Sequence, residues 1–135
     1  MSVEFTWMDE AQTIAHRNFK KGWTWEDMNR AMETMDTILA KSDRRIDLII
    51  CYDHLNMVKT NPFNHIRNMA AARENTDPKI GSITVIGGGK VMEMVSDKLI
   101  SLIPELGARM HFAESTDEAL KIIQADRQDP YRAVI

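Results

Sequence analysis

The run Ile46-Asp47-Leu48-Ile49-Ile50-Cys51-Tyr52 is apolar at nearly every position, and it limits the folds open to this chain more than any other feature. A strand with one wet face alternates polar and apolar side chains. A strand apolar on both parities must be covered on both faces, as parallel strands are in layered α/β sheets. Ile80 to Ile86 is a second run of this kind, and it leads into Gly87-Gly88-Gly89-Lys90. Between the two lies a stretch at helical spacing: Phe63, Ile66, Met69, Ala70 and Arg73 give one mostly apolar face. Strand, helix, strand in that order predicts a right-handed crossover and a parallel pair.

The opening segment follows a different rule. Val3, Phe5 and Trp7 share one parity, with Glu4 and Thr6 between them, which predicts a half-buried strand. Asp9 and Glu10 form a polar break, and Thr13 to Phe19 is expected to return as the second arm of a hairpin. The turn type is not readable, because no Asn-Gly or Asp-Gly pair is present. Gly22 stops that strand. Thr24 then caps a helix, Asp27 completes a capping box in place of Glu, and Trp23 with Met28 occupies the hydrophobic-staple positions. Trp25, Met28, Met32, Met35 and Leu39 recur at helical spacing, with Ala31 and Ile38 beside them. A Met-rich stripe can line an adaptable groove, but its period matches one buried face, which is the core reading.

The remaining elements are predicted from their start and stop signals. Pro62 suits the first helical position, with Asn61 or Thr60 as cap, and Thr76-Asp77-Pro78 ends that unit. A third helix carries Val91, Met92, Met94, Val95, Leu99, Ile100, Leu102 and Ile103, and stops at Pro104 and Gly107. Arg109 to Ala113 reads as a short last strand. Ser115-Thr116-Asp117-Glu118 reads as a full capping box for a final helix that turns Ala119, Leu120 and Ile123 inward. The expected order is β-β-α-β-α-β-α-β-α: an α/β fold with a mixed, mostly parallel sheet of about five strands and about four helices. It forms a single domain over 1–135, with its core over about 3–124 and a polar, loosely held tail over 125–135.

Bulk properties narrow the function classes. A chain of 135 residues is long enough to bury a core without metal or disulfide support. A net charge of −3 offers no broad field for nucleic acid or anionic lipid. The pairs Lys20-Lys21 and Arg44-Arg45 lie at element boundaries and read as solvated loop ends. Cys51 is the lone cysteine, which suits a reducing cytoplasm. No signal peptide is visible at Met1-Ser2-Val3-Glu4, and no apolar run approaches the roughly 20 residues of a membrane span. A cytoplasmic location is expected.

The element order resembles that of the STAS domain, the fold of bacterial anti-sigma factor antagonists, and several local features resemble its divergent, uncharacterised branches. They are Gly22-Trp23-Thr24-Trp25-Glu26 before the first helix, the apolar strand ending at Asp53, and the helix start at Thr60-Asn61-Pro62. Ile83-Thr84-Val85-Ile86-Gly87 and Ser115-Thr116-Asp117-Glu118-Ala119 agree as well. The resemblance spans residues 3 to 124, and the order of the motifs carries it. It implies a non-enzymatic regulatory module that docks a protein partner or a second copy of itself around Asp53 to Phe63. In the regulatory members a strand ends in Asp, and an Asp-Ser-Ser/Thr-Gly sequence opens the second helix; its Ser is phosphorylated to control docking. Asp53 matches the strand-end Asp. His54-Leu55-Asn56-Met57-Val58-Lys59-Thr60-Asn61-Pro62 follows without the phospho-acceptor motif, leaving Thr60 as the nearest hydroxyl. Asp53, Thr60, Asn61 and Phe63 are therefore the candidates for partner binding or a phospho-switch.

An alternative is a small-molecule binder. A strand, a glycine-rich turn and a helix start present backbone amides to an anion, so Gly87, Gly88, Gly89 and Lys90 are candidates for a phosphate-bearing or nucleotide ligand. The spacing is neither a P-loop, since Val91 follows the lysine, nor a dinucleotide fingerprint, since Met92 replaces the third glycine. A tight strand-to-helix turn that needs positive φ is the favoured explanation of the glycines. An apolar ligand such as a lipid, held between the Met-rich helices and the sheet, is the other small-molecule option.

Asp47 to Met57 superficially resembles a receiver-domain phospho-acceptor strand, but the acidic pair of strand one and the lysine closing the last strand are missing. Asp53, His54 and His65 could gather near the carboxyl ends of the strands and would suffice for zinc, but no His-x-x-x-His or Cys-x-x-Cys spacing supports that, and loop and capping roles are expected. His16 and His111 fall on strands with no evident partner. No catalytic residues, metal or cofactor are expected.

Overall fold

The computed structural model describes residues 3–52, 79–87, 89–102, 104 and 108–128, without the side chains of 89–92, 95 and 99. Over these residues the protein is α/β. Strands β1 (Val3–Trp7) and β2 (Ile14–Phe19) precede helix α1 (Trp25–Lys41) and strand β3 (Ile46–Tyr52). Strand β4 (Ile80–Gly87), helix α2 (Gly89–Leu102), strand β5 (Met110–Ala113) and helix α3 (Thr116–Gln128) complete the order. The helix expected from Pro62 lies outside the described residues. One sheet runs β1-β2-β3-β4-β5; β1 and β2 pair antiparallel and every other neighbour pair is parallel.

The turn between β1 and β2, unreadable in sequence, is organised by one side chain. Asp9 Oδ1 accepts from the backbone N–H groups of Thr13 at 2.9 Å and Ile14 at 3.0 Å, and Gln12 takes the left-handed conformation with φ of 58°. Helix α1 starts as its capping box predicts. Thr24 Oγ1 accepts from the Asp27 N–H at 3.1 Å, and Asp27 Oδ2 accepts from the Thr24 N–H at 2.9 Å. At its far end, Lys79 donates to the carbonyls of Leu39 and Ser42, a cation placed on the negative pole of the helix. Helix α3 departs from expectation in one bond. Ser115 Oγ accepts from the Glu118 N–H, but the Glu118 carboxylate reaches back to the N–H of Glu114 rather than of Ser115.

Cross-strand register sorts side chains onto two faces. Val3, Phe5, Trp7, Ala15, Phe19, Leu48, Ile50, Tyr52, Ile83 and Val85 share one face, and α1 covers it with Ala31, Met35 and Leu39. Of the Met-rich stripe, Met35 and Leu39 are buried in the core, and Trp25 and Met28 pack against it. Ile49, Cys51 and Ile86 point the other way, against Ala119, Leu120 and Ile123 of α3. Both faces of β3 are thus apolar and covered, which is why its sequence does not alternate. The register slips between Ile46 and Leu48, where Gly81 and Ser82 of β4 bulge around Asp47. Among the described residues, no helix is long and apolar enough to cross a membrane.

Candidate functional site

The two ends of the parallel strands differ in chemistry. At the carboxyl end, Phe19, Tyr52 and Gly87 stand in register on β2, β3 and β4. Phe19 stacks on Tyr52 with ring centroids 4.9 Å apart, and Trp23 meets Phe19 at 5.4 Å and Tyr52 at 5.8 Å. Trp25 extends the group, edge-on to Trp23 at 5.2 Å. Burial of Tyr52 pushes its phenol well above the ordinary tyrosine range, so it stays protonated. The result is a packed aromatic floor at the end of the sheet where α/β proteins carry their binding loops.

Two chain segments leave from this floor. Asp53 follows Tyr52 directly, and Gly87 is the register partner of Tyr52. The sequence candidates Asp53, Thr60, Asn61 and Phe63 lie outside the described residues, as do Gly88, His54 and His65. Gly87 has a φ of +88°, and a Cβ there would come within 2.5 Å of the Tyr52 carbonyl oxygen. The positive-φ turn therefore accounts for this glycine without a ligand. Gly89 and Lys90 open α2, and the Lys90 side chain is not among those described.

At the amino end stands a cluster the sequence reading missed. Asp47 is fully buried at the start of β3. Its Oδ1 accepts from Arg45 Nε at 3.1 Å and Nη2 at 2.9 Å, and from Ser82 N–H at 2.7 Å and Oγ at 3.0 Å. Its Oδ2 accepts from Arg127 Nε at 2.6 Å. Arg45 also bonds Asp126, and Arg127 donates to Thr13 O and Oγ1 at 3.2 and 3.1 Å. Thr13 in turn donates its hydroxyl to Asp9. Burial alone would lower the Arg45 pKa, but the hydrogen bonds to Asp47 and Asp126 outweigh it and hold Arg45 above the ordinary arginine value. Asp9 is likewise raised by burial, but its bonds from Thr13 and Ile14 and the charge of Arg127 leave it lowered overall.

This cluster corrects two expectations. Arg45 is not a solvated loop end, because Asp47 two residues on and Asp126 of α3 both bind it. Asp126 and Arg127 are not tail; they belong to α3 and bind the sheet. The only sequence signal was an aspartate inside an apolar run, which names a buried charge without naming its partners. Both carboxylate oxygens of Asp47 are bonded to arginine, and Oδ1 to Ser82 as well, so the acid holds the fold together.

His16 also gains a neighbour: its Nε2 lies 3.3 Å from Cys51 Sγ, on the adjacent strand and on the α3 side of the sheet. His111 Nε2 is buried with no hydrogen-bond partner among the described residues. Among the described residues, no three His, Cys, Asp or Glu side chains are grouped to hold a metal. Compared with protein-family models, curated proteins and solved structures, the chain matches none.

Proposed function

We propose that this protein is a non-enzymatic, STAS-like binding module that docks a protein partner, or a second copy of itself, at the carboxyl end of its parallel strands. The docking segment is Asp53 to Phe63, with the start of the helix expected from Pro62. The observation that supports this is the pairing of Tyr52 with Gly87. It makes the Asp53 segment and the Gly87 turn leave the sheet side by side from an aromatic floor. Phe19, Trp23 and Tyr52 fill this end of the sheet with packed aromatic rings, and loops at this end are where α/β proteins carry recognition. The hairpin-led sheet order agrees with the STAS-like reading.

Cross-linking in native lysate, mapped by mass spectrometry, tests it. Intermolecular cross-links concentrated on 53–63, and lost in Asp53→Lys and Phe63→Ala, are the expected result. A monomeric mass in solution with no cross-links to that segment overturns the reading.

A further inference from the structure

Arg17 stands where the core pattern calls for a hydrocarbon. Along β2, Ala15, Arg17 and Phe19 share one parity, and the residues on either side belong to the two apolar clusters beneath α1. Arg17 is only 8% exposed. In register it is flanked by Phe5 on β1 and Ile50 on β3, and its guanidinium carbon lies 5.1 Å from the Phe5 ring centroid. Among the described residues its buried Nη2 has no hydrogen-bond partner and no carboxylate pairs with it. Arg45 and Arg127 show the contrast: both are more exposed, and both bind Asp47.

A lysine in this position would shed its proton, but a guanidinium keeps its charge at any ordinary pH. The ring face of Phe5 offsets only part of the desolvation. Burial lowers the Arg17 pKa with no carboxylate pulling the other way. A buried charge is ordinarily paired, so a counter-charge is the missing component.

We propose that Arg17 anchors a ligand site between α1 and the sheet, and that its ligand is an amphiphile with an oxyanion head, carboxylate or phosphate, on one aliphatic chain. The guanidinium fork matches two oxygens of either head. The tail follows from the surroundings, which are apolar on both sides of Arg17, with Met28, Ala31 and Met35 supplied by α1. Unbranched methionines repack around a chain where β-branched residues would not. A nucleotide does not suit the site, because its ribose and base edges would be buried unpaired. The site is separate from the carboxyl-end docking surface and does not depend on it.

The test uses the full chain, delipidated, with dodecanoate, dodecyl phosphate and dodecanol as probes, read by native mass spectrometry and thermal shift. One or both anionic probes should form a saturable one-to-one complex, and dodecanol, with the same tail, should bind at least about tenfold more weakly. Whichever anion binds more tightly identifies the head. Arg17→Met should remove the preference for the anion, and Arg17→Gln should do the same while keeping a polar side chain. The comparison of dodecanoate with dodecanol on the unmutated protein needs no variant to fold. The absence of a saturable complex with either anion, equal binding of dodecanol, or unchanged anion binding by a folded Arg17→Met protein overturns the proposal.

Discussion

Asp47 and Arg127 lie 80 residues apart in sequence and meet at 2.6 Å, joining the start of the central strand to the last turn of the last helix. Asp47 is fully buried, whereas the Arg127 side chain keeps 35% of its surface, so the two partners are not equivalent. Removing the acid takes the shared carboxylate from Arg45 and Arg127, which keep Asp126 and Thr13, and leaves the Ser82 amide without its acceptor. Removing Arg127 leaves Asp47 still bound by Arg45 and Ser82.

Asp47→Ala is therefore expected to cost about 3–5 kcal/mol, the range for breaking a buried ion pair from its inner side. Arg127→Ala should cost clearly less. Urea unfolding of both variants and the double mutant measures the difference, and the coupling should be non-additive because the residues share one network.

Gly81 supports the same cluster from the backbone. A Cβ at this position would collide with Arg45 Nε and Asp47 Oδ1. Gly81→Ala should mimic part of the Asp47 defect, and combining it with Asp47→Ala should add little. At Gly87 the cause is different: positive φ together with the Tyr52 carbonyl. Gly87→Ala is expected to lose about 1–3 kcal/mol, fully additive with Asp47→Ala, because it acts at the opposite end of the sheet.

Acid should act through Asp9. Its carboxyl is held below the unfolded value of 3.8, so its contribution to stability is complete above that pH and is lost as pH falls through the lower folded value. Unfolding free energies of the wild type and Asp9→Asn should run parallel above about pH 5 and converge below 3.8. A constant gap down to the most acid conditions would contradict this.

Alkali should act through Tyr52. Its folded pKa is raised above the unfolded value of 10.0, so the contribution of the neutral phenol is intact below pH 10.0 and declines as pH rises beyond it. Tyr52→Phe should flatten that alkaline limb. An ultraviolet titration should show Tyr52 ionising only as the protein unfolds.

What could be read from sequence was local. The Thr24–Asp27 box, the inward face of α1 and the positive φ at Gly87 each depend on residues within a few positions, and each appears as expected. The Asp9 turn was hidden because it depends on a side chain bonding two amides, not on a turn dipeptide. Arg45 was misread because its partners, Asp47 and Asp126, are brought together by a strand bulge and a distant helix. Arg17 could have been noticed. Ala15-x-Arg17-x-Phe19 places a charge on a core parity of the returning strand. The docking candidates from Asp53 to Phe63 rest on motif order, and the described residues reach only the strand that precedes them.

The Asp47 cluster also sets a timetable. A ribosome delivers Asp47 and Arg45 long before Asp126 and Arg127, so the central strand must wait with its acid only half neutralised while most of the chain is made. Until the last helix emerges, closing the sheet would bury a carboxylate with one of its two arginines missing. The nascent protein should therefore stay loose, and available to chaperones, until α3 arrives, and then lock in a single step. Pausing translation just before Asp126 should leave the sheet open to protease, and releasing Arg127 should close it.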